Sequence, residues 1–271
     1  MSRIGPAFAA LRGRGEVALV PYFTAGDPDL QTTRDLVRAA VAEGADAIEL
    51  GVPFSDPMAD GPVLQRAAAR ALAAGTSLPR VLELVAELRA EIQQPLILFG
   101  YYNPLFRYGV DRIAADAATA GADAFLCVDL PLEEAHDLRA AASQAGLDVI
   151  ALLAPTTPPA RIRTIARAAS GFLYFVSVLG TTGARTDLPS ELPALVERVR
   201  RMTELPVGVG FGVSAPEQAA WIARFADAVI VGSALARLVE DGGRDGAALR
   251  VATFLGTLRR AMRDAAAAGA G

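Results

Sequence analysis

The chain has 271 residues, 52% hydrophobic and 6% aromatic, with a formal net charge of −4. That length suits one barrel domain of about 250 residues with modest insertions, and its core must be built mainly from Ala, Val, Leu and Ile. No basic stripe accompanies the acidic balance, so nucleic-acid binding has no electrostatic support. No run reaches the roughly 18 apolar residues of a membrane span, and the first sixteen residues lack the apolar region of a secretory signal. These features predict a cytoplasmic protein with no membrane attachment.

An extra N-terminal helix is expected over 2–14. Eight short apolar runs follow, and each reads as a strand covered on both faces. They are Val17–Phe23, Ala47–Leu50, Leu96–Tyr101, Ala124–Val128, Asp148–Leu153, Phe172–Ser177, Val207–Phe211 and Ala228–Val231. Amphipathic helices lie between them. In Pro79–Glu91, the residues Val81, Leu84, Val85 and Leu88 share one face. Leu132–Gln144 carries Glu133 and Glu134 where a first turn favours acids. Strand–helix alternation repeated eight times predicts an α/β fold: one (β/α)8 barrel of the TIM type, forming a single domain over 1–271.

A weak repeat supports this reading. Gly44-Ala45-Asp46, Gly121-Ala122-Asp123 and Phe225-Ala226-Asp227 each stand where a helix ends and a strand begins. Residues 51–77 form a long insertion after strand 2, with a helix expected to about Ala74. Long loops at the C-terminal face of a barrel are more often functional than decorative. A second loop, 180–186, follows strand 6, and a frayed tail is expected over 265–271.

Two glycine motifs point to phosphate binding. Gly210-Phe211-Gly212 closes strand 7, and Gly232-Ser233-Ala234 closes strand 8 and opens a helix. Barrels hold phosphate at these places with backbone N–H groups and a helix N-terminus. Ser233 adds a hydroxyl and can cap the helix; Gly183 is a candidate third wall. Singly, each motif also reads as an ordinary tight turn.

Glu49 lies one residue before the end of strand 2, in Ala47-Ile48-Glu49-Leu50-Gly51. A carboxylate among apolar neighbours is costly to bury. Facing the barrel mouth, it becomes an acid–base group raised by desolvation; the other reading is an ion pair with an arginine. Asp60, before Gly61-Pro62, reads by itself as a helix N-cap, and Asp56 as a turn residue. Tyr22, Tyr101 and Tyr174 stand near strand ends, as pocket lining or as filler.

Several chemistries are closed. All 26 basic residues are arginine, so no Schiff-base lysine exists. One histidine, His136, and one cysteine, Cys127, exclude a zinc site built on several such ligands and any internal disulfide. His136 is expected on an exposed helix face, Cys127 in the core, and Trp221 in helix packing. No strand–GxGxxG–helix unit supports nicotinamide binding. Carboxylate acid–base chemistry on a phosphorylated substrate remains.

The stretch from Glu49 through Gly51-Val52-Pro53-Phe54-Ser55-Asp56-Pro57-Met58-Ala59-Asp60 resembles the signature of the tryptophan synthase α subunit family. The resemblance continues through Val20–Pro28, Tyr101–Pro104, Asp129–Glu134, Gly180–Arg185, Gly208–Ser214 and Gly232–Ala234. It implies retro-aldol cleavage of indole-3-glycerol phosphate to indole and glyceraldehyde 3-phosphate, with no cofactor in this chain. It also implies that Glu49 takes the proton of the glycerol hydroxyl and can first protonate the indole carbon. Asp60 would accept the indole N–H, with Tyr174 beside Glu49. Tyr22, Leu126 and Phe211 would pack on the indole, and Gly183, Gly212, Gly232 and Ser233 would hold the phosphate. The implied partner is a β subunit carrying pyridoxal phosphate in an α2β2 heterotetramer, touched near Pro53, Asp56, Pro57, Asn103 and Pro104. Phe99, Gly100, Tyr22, Val178 and Leu179 depart mildly from the pattern. Three alternatives stay open at this level: a stand-alone indole-releasing lyase, another phosphate-gripping barrel, and a non-catalytic regulatory subunit.

Overall fold

The computed structural model describes residues 1–177, 189–210 and 212–269. Eight parallel strands close into a barrel in sequence order, β1 to β8, with β1 also pairing β8. They are β1 Ala18–Thr24, β2 Ile48–Gly51, β3 Leu96–Gly100, β4 Ala124–Cys127, β5 Asp148–Leu153, β6 Leu173–Val176, β7 Val207–Gly210 and β8 Ala228–Val231. Every apolar run expected as a strand forms one, within a residue or two at its ends.

Twelve helices are described: α1 Ile4–Gly13, α2 Leu30–Ala42, α3 Pro62–Ala73, α4 Leu78–Arg89, α5 Tyr102–Tyr108, α6 Val110–Ala120, α7 His136–Ala145, α8 Pro159–Ala168, α9 Leu192–Arg200, α10 Pro216–Ile222, α11 Ser233–Gly242 and α12 Ala247–Gly269. None is long and apolar enough to cross a membrane.

Two apolar cores arise from the period-two alternation of the strands. One fills the barrel: Val20 and Tyr22 of β1, Ile97 and Phe99 of β3, Leu126 of β4, Ile150 of β5, Tyr174 of β6 and Ile230 of β8. The N-terminal helix belongs to this interior. Its Ile4, Phe8 and Leu11 join the cluster, and Phe8 meets Phe172 with ring centroids 5.5 Å apart. At the other end, Val63 and Leu64 of α3 and Ala236 of α11 join it. The second core lies outside, between strands and helices, where Leu19, Leu50, Leu98, Phe125, Phe175 and Val229 meet residues such as Leu36, Leu84 and Leu255.

The aspartate repeat closes the N-terminal end of the barrel. The N–H of Asp46 donates to Leu19 O at 2.9 Å, and its carboxylate accepts Leu19 N–H at 2.8 Å. Asp123 makes the same pair of bonds with Leu96, at 2.8 and 2.9 Å, and Asp227 with Val207, both at 2.8 Å. An arginine pairs with each aspartate: Arg259, Arg89 and Arg200, respectively. Ser170 makes the equivalent bonds to Val149. Each residue thus staples an odd strand to the next even one, at the face where a barrel's stability is built. The left-handed conformations of Gly44 (φ 88°) and Gly121 (φ 95°) turn the chain into two of these staples.

Three local expectations are corrected. Glu133 and Glu134 precede α7, whose first turn carries Asp137 instead. Residues 265–269 continue α12 as helix rather than fraying, because Met262 and Ala265 are buried and extend the helix's packed face. The N-cap of α3 is Gly61, with no side-chain cap bond, so Asp60 is not its cap. His136 is exposed at the start of α7, Cys127 is buried at the end of β4, and Trp221 packs edge-on against Phe225 at 5.0 Å, all as expected.

Candidate active site

At the C-terminal end of the strands, Tyr22, Glu49, Asp60, Leu64, Phe99, Tyr174, Gly212, Gly232 and Ser233 line one cavity. The strand register places the first of these. Tyr22 of β1 and Glu49 of β2 are lateral partners, so both point into the barrel. Tyr174 enters from β6, beside Gly208 of β7.

Two glycines make room for the phenols. A Cβ on Gly51 would stand 2.1 Å from the Tyr22 hydroxyl, and one on Gly210 would stand 2.1 Å from the Tyr174 hydroxyl. Gly210 therefore makes room for the Tyr174 hydroxyl. Phe99 meets the Tyr22 ring edge-on at 5.1 Å, and the Tyr22 hydroxyl lies 3.4 Å from Thr24 Oγ1.

Glu49 is 1% exposed, and among the described residues neither carboxyl oxygen has a hydrogen-bond partner. Desolvation raises its pKa to about 8, because the charged form loses water and gains nothing in exchange. Among the described residues, the ion pair weighed from sequence is therefore not made. An unpaired carboxyl held neutral at a strand end costs stability, and such costs cluster at functional sites.

Asp60 ends the insertion's first turn and is 9% exposed. Burial raises its pKa to about 6, and the Tyr101 side chain limits the rise. Burial, then the Asp60 and Glu49 charges, holds the Tyr22 phenol well above its ordinary range; burial and Glu49 do the same to Tyr174. Both phenols stay neutral donors at any ordinary pH.

On the opposite wall are Gly212, with φ 89°, and the start of α11. Gly232 is the N-cap of α11 and Ser233 its first residue, with no side-chain cap bond, so Ser233 does not cap the helix. The first N–H groups of a helix lack intrahelical acceptors and carry the positive end of its dipole. Gly232 and Ser233 are partly exposed, so an anion can reach them.

Of the residues singled out from sequence, Glu49, Asp60, Tyr22, Tyr174, Gly212, Gly232 and Ser233 meet in this cavity. Leu126 is fully buried beside Phe99 and is not part of the lining. Gly183 and Phe211 lie outside the described residues. Leu64 was missed; its signal was the apolar face of α3, one turn beyond Asp60. Tyr101 stands behind Asp60 rather than in the cavity.

The family model for the tryptophan synthase alpha chain matches residues 8–266. The tryptophan synthase alpha chain of Citrifermentans bemidjiense is 57% identical over 240 residues, covering 89% of this chain and 90% of that one. That of Geotalea uraniireducens is 52% identical over 263 residues, covering 97% and 98%. Among solved structures, the tryptophan synthase subunit alpha of Legionella pneumophila superposes with a TM-score of 0.90 at 39% identity, covering 97% and 99%. A chain of the tryptophan synthase complex of Pyrococcus furiosus superposes with a TM-score of 0.82 at 38% identity, covering 89% and 97%. The sequence, the closed barrel and these relatives agree: the chain belongs to the tryptophan synthase alpha chain family, lyases of tryptophan biosynthesis that cleave indole-3-glycerol phosphate into indole and glyceraldehyde 3-phosphate.

Proposed function

We propose that Glu49 and Asp60 divide the work of this cleavage, with the unpartnered, buried carboxyl of Glu49 as the observation that carries the assignment. With a pKa near 8, Glu49 is protonated at neutral pH and gives its proton to the indole carbon that bears the glycerol side chain. The ring nitrogen then carries positive charge. Asp60, ionised above about pH 6, accepts the ring N–H and stabilises that charge. Glu49, now a carboxylate, takes the proton of the adjacent side-chain hydroxyl. The carbon–carbon bond breaks, its electrons restore the indole, and the hydroxyl carbon becomes the aldehyde of glyceraldehyde 3-phosphate. One carboxyl serves as acid and then as base, and no step calls on a cofactor in this chain.

Tyr22, Phe99 and Leu64 form the apolar wall for the indole, and Tyr174 stands beside Glu49 as a neutral donor. Gly212, Gly232 and Ser233 hold the phosphate at the start of α11. Leu126 supports this wall from the side, as the register partner of Phe99. Phe211 and Gly183 are assigned to the indole and the phosphate by resemblance alone.

The partner is a β subunit bearing pyridoxal phosphate, in an α2β2 assembly. Asp56 and Asn103 are exposed and Pro57 half-buried. Met58 and Phe106 beside them are 85% and 64% exposed, apolar surface that suits an interface. Pro53 is buried, so it shapes the turn rather than meeting a partner.

Indole release from indole-3-glycerol phosphate by the purified chain, with and without a β subunit, tests this reading. Slow release alone and fast release in the complex is the expected result. Fast release alone marks a stand-alone lyase, and no release by the folded protein in either case overturns the assignment.

A further inference from the structure

We infer that Tyr101 is a positioning residue for Asp60, a latch that fastens the turn carrying Asp60 to the end of β3. The inference rests on the role given to Asp60 above. Tyr101 directly follows β3, is 5% exposed and does not line the cavity. Its ring packs on Phe54, at the start of the inserted turn, with centroids 5.3 Å apart. Its hydroxyl accepts the Ala59 N–H at 2.9 Å, at the end of the same turn. The same hydroxyl favours the ionised Asp60 carboxyl, the next residue along, and offsets part of what burial does to it.

A phenol has one hydrogen to give and lone pairs to receive. Receiving from Ala59 leaves the hydrogen free for the neighbouring Asp60 carboxyl, so one side chain acts on both the backbone and the carboxylate. Between its two grips, Ser55, Asp56, Met58 and Ala59 are exposed. The backbone there makes short turn bonds, Met58 N–H to Asp56 O at 2.9 Å and Asp60 N–H to Pro57 O at 3.1 Å. Gln65 holds the Asp60 carbonyl from the α3 side at 2.9 Å, but not its carboxylate.

The latch favours the ionised form of Asp60, which is the form that accepts the indole N–H. Among the described residues, the titratable groups facing Asp60 are Tyr22 of β1 and Tyr101 itself, both neutral from about pH 5 to 9 since burial raises their pKa. Glu49 of β2 and Tyr174 of β6 share the cavity.

The test is Tyr101→Phe, which keeps the ring on Phe54 and removes the hydroxyl from Ala59 and Asp60, assayed with wild type and Asp60→Asn. Losing a hydroxyl that supports a charged group lowers kcat by about tenfold or more. The acid limb of kcat/KM moves to higher pH while the alkaline limb stays. The substrate phosphate also titrates near pH 6, but its limb is common to both enzymes and does not move. Wild-type kcat with an unmoved acid limb overturns the latch, as does a lower melting temperature with an unmoved limb. If Asp60→Asn keeps its turnover, the role of Asp60 fails first and takes the latch with it.

Discussion

Glu49 and Asp60 share one cavity, and burial raises both, yet Glu49 reaches about 8 and Asp60 only about 6. The difference follows first from burial, Glu49 being 1% exposed and Asp60 9%. The Tyr101 side chain then offsets part of the rise at Asp60, whereas among the described residues both oxygens of Glu49 are unpaired. Environments that push two carboxyls apart allow one to be acid while the other is an anion.

A bell-shaped pH profile follows. In the free enzyme Asp60 must be ionised and Glu49 protonated. The kcat/KM for cleavage is therefore expected to rise with an apparent pKa near 6 and fall with one near 8. A profile flat from pH 6 to 9 would contradict the division of roles.

Glu49→Gln is expected to lower cleavage by about 10²–10⁴-fold, the usual share of a general acid–base group, with substrate binding largely kept. Its stability should change in the opposite direction. The folded pKa of Glu49 lies above the ordinary glutamate value of 4.5, so the folded state holds this proton more tightly. That contribution is whole below about pH 4.5 and is lost as the pH rises through about 8. The amide escapes the loss, so the variant gains on wild type across that window by about 5 kcal/mol at most. Melting curves at pH 5 and pH 9 measure the difference.

Asp60→Asn is expected to lower kcat by about 10²–10³-fold, the scale of losing a group aimed at developing charge. Gly61 caps α3, so the melting temperature should move little. A variant that loses stability but keeps turnover would return Asp60 to a structural role.

Asp123→Ala should act in the opposite sense, on folding rather than chemistry. Asp123 is fully buried and accepts the Arg3 and Leu96 N–H groups together with the Arg3 and Arg89 guanidiniums. Removing it strands these donors at the base of the barrel, at a cost of about 3–5 kcal/mol. Denaturant unfolding reads the loss; kcat of the folded fraction should stay near wild type.

Much of the molecule was legible in the sequence because its signals are local. Eight apolar runs and the helices between them set the barrel. Glu49 stood out because a charge inside an apolar strand needs a reason, and the glycine motifs marked where backbone N–H groups open toward an anion. Tertiary structure decided what local pattern cannot carry. Whether Asp60 caps a helix or faces a cavity depends on where α3 begins, and Gly61 takes the cap. Gly210 reads as part of a phosphate motif, and only the folded chain shows the Tyr174 hydroxyl in the space its missing side chain leaves. Leu126 alternates with its neighbours as a lining residue would, but it is fully buried and absent from the cavity's lining, which takes its register partner Phe99 instead. The repeated aspartates looked like ordinary helix-to-strand turns, and only strand pairing turned them into staples. Tyr101 reads as filler at a strand end, since its partners Phe54, Ala59 and Asp60 meet it only after β2 and β3 pair. Periodicity and charge place residues on faces; depth, neighbours and pKa come from segments far apart in the chain, which only folding brings together.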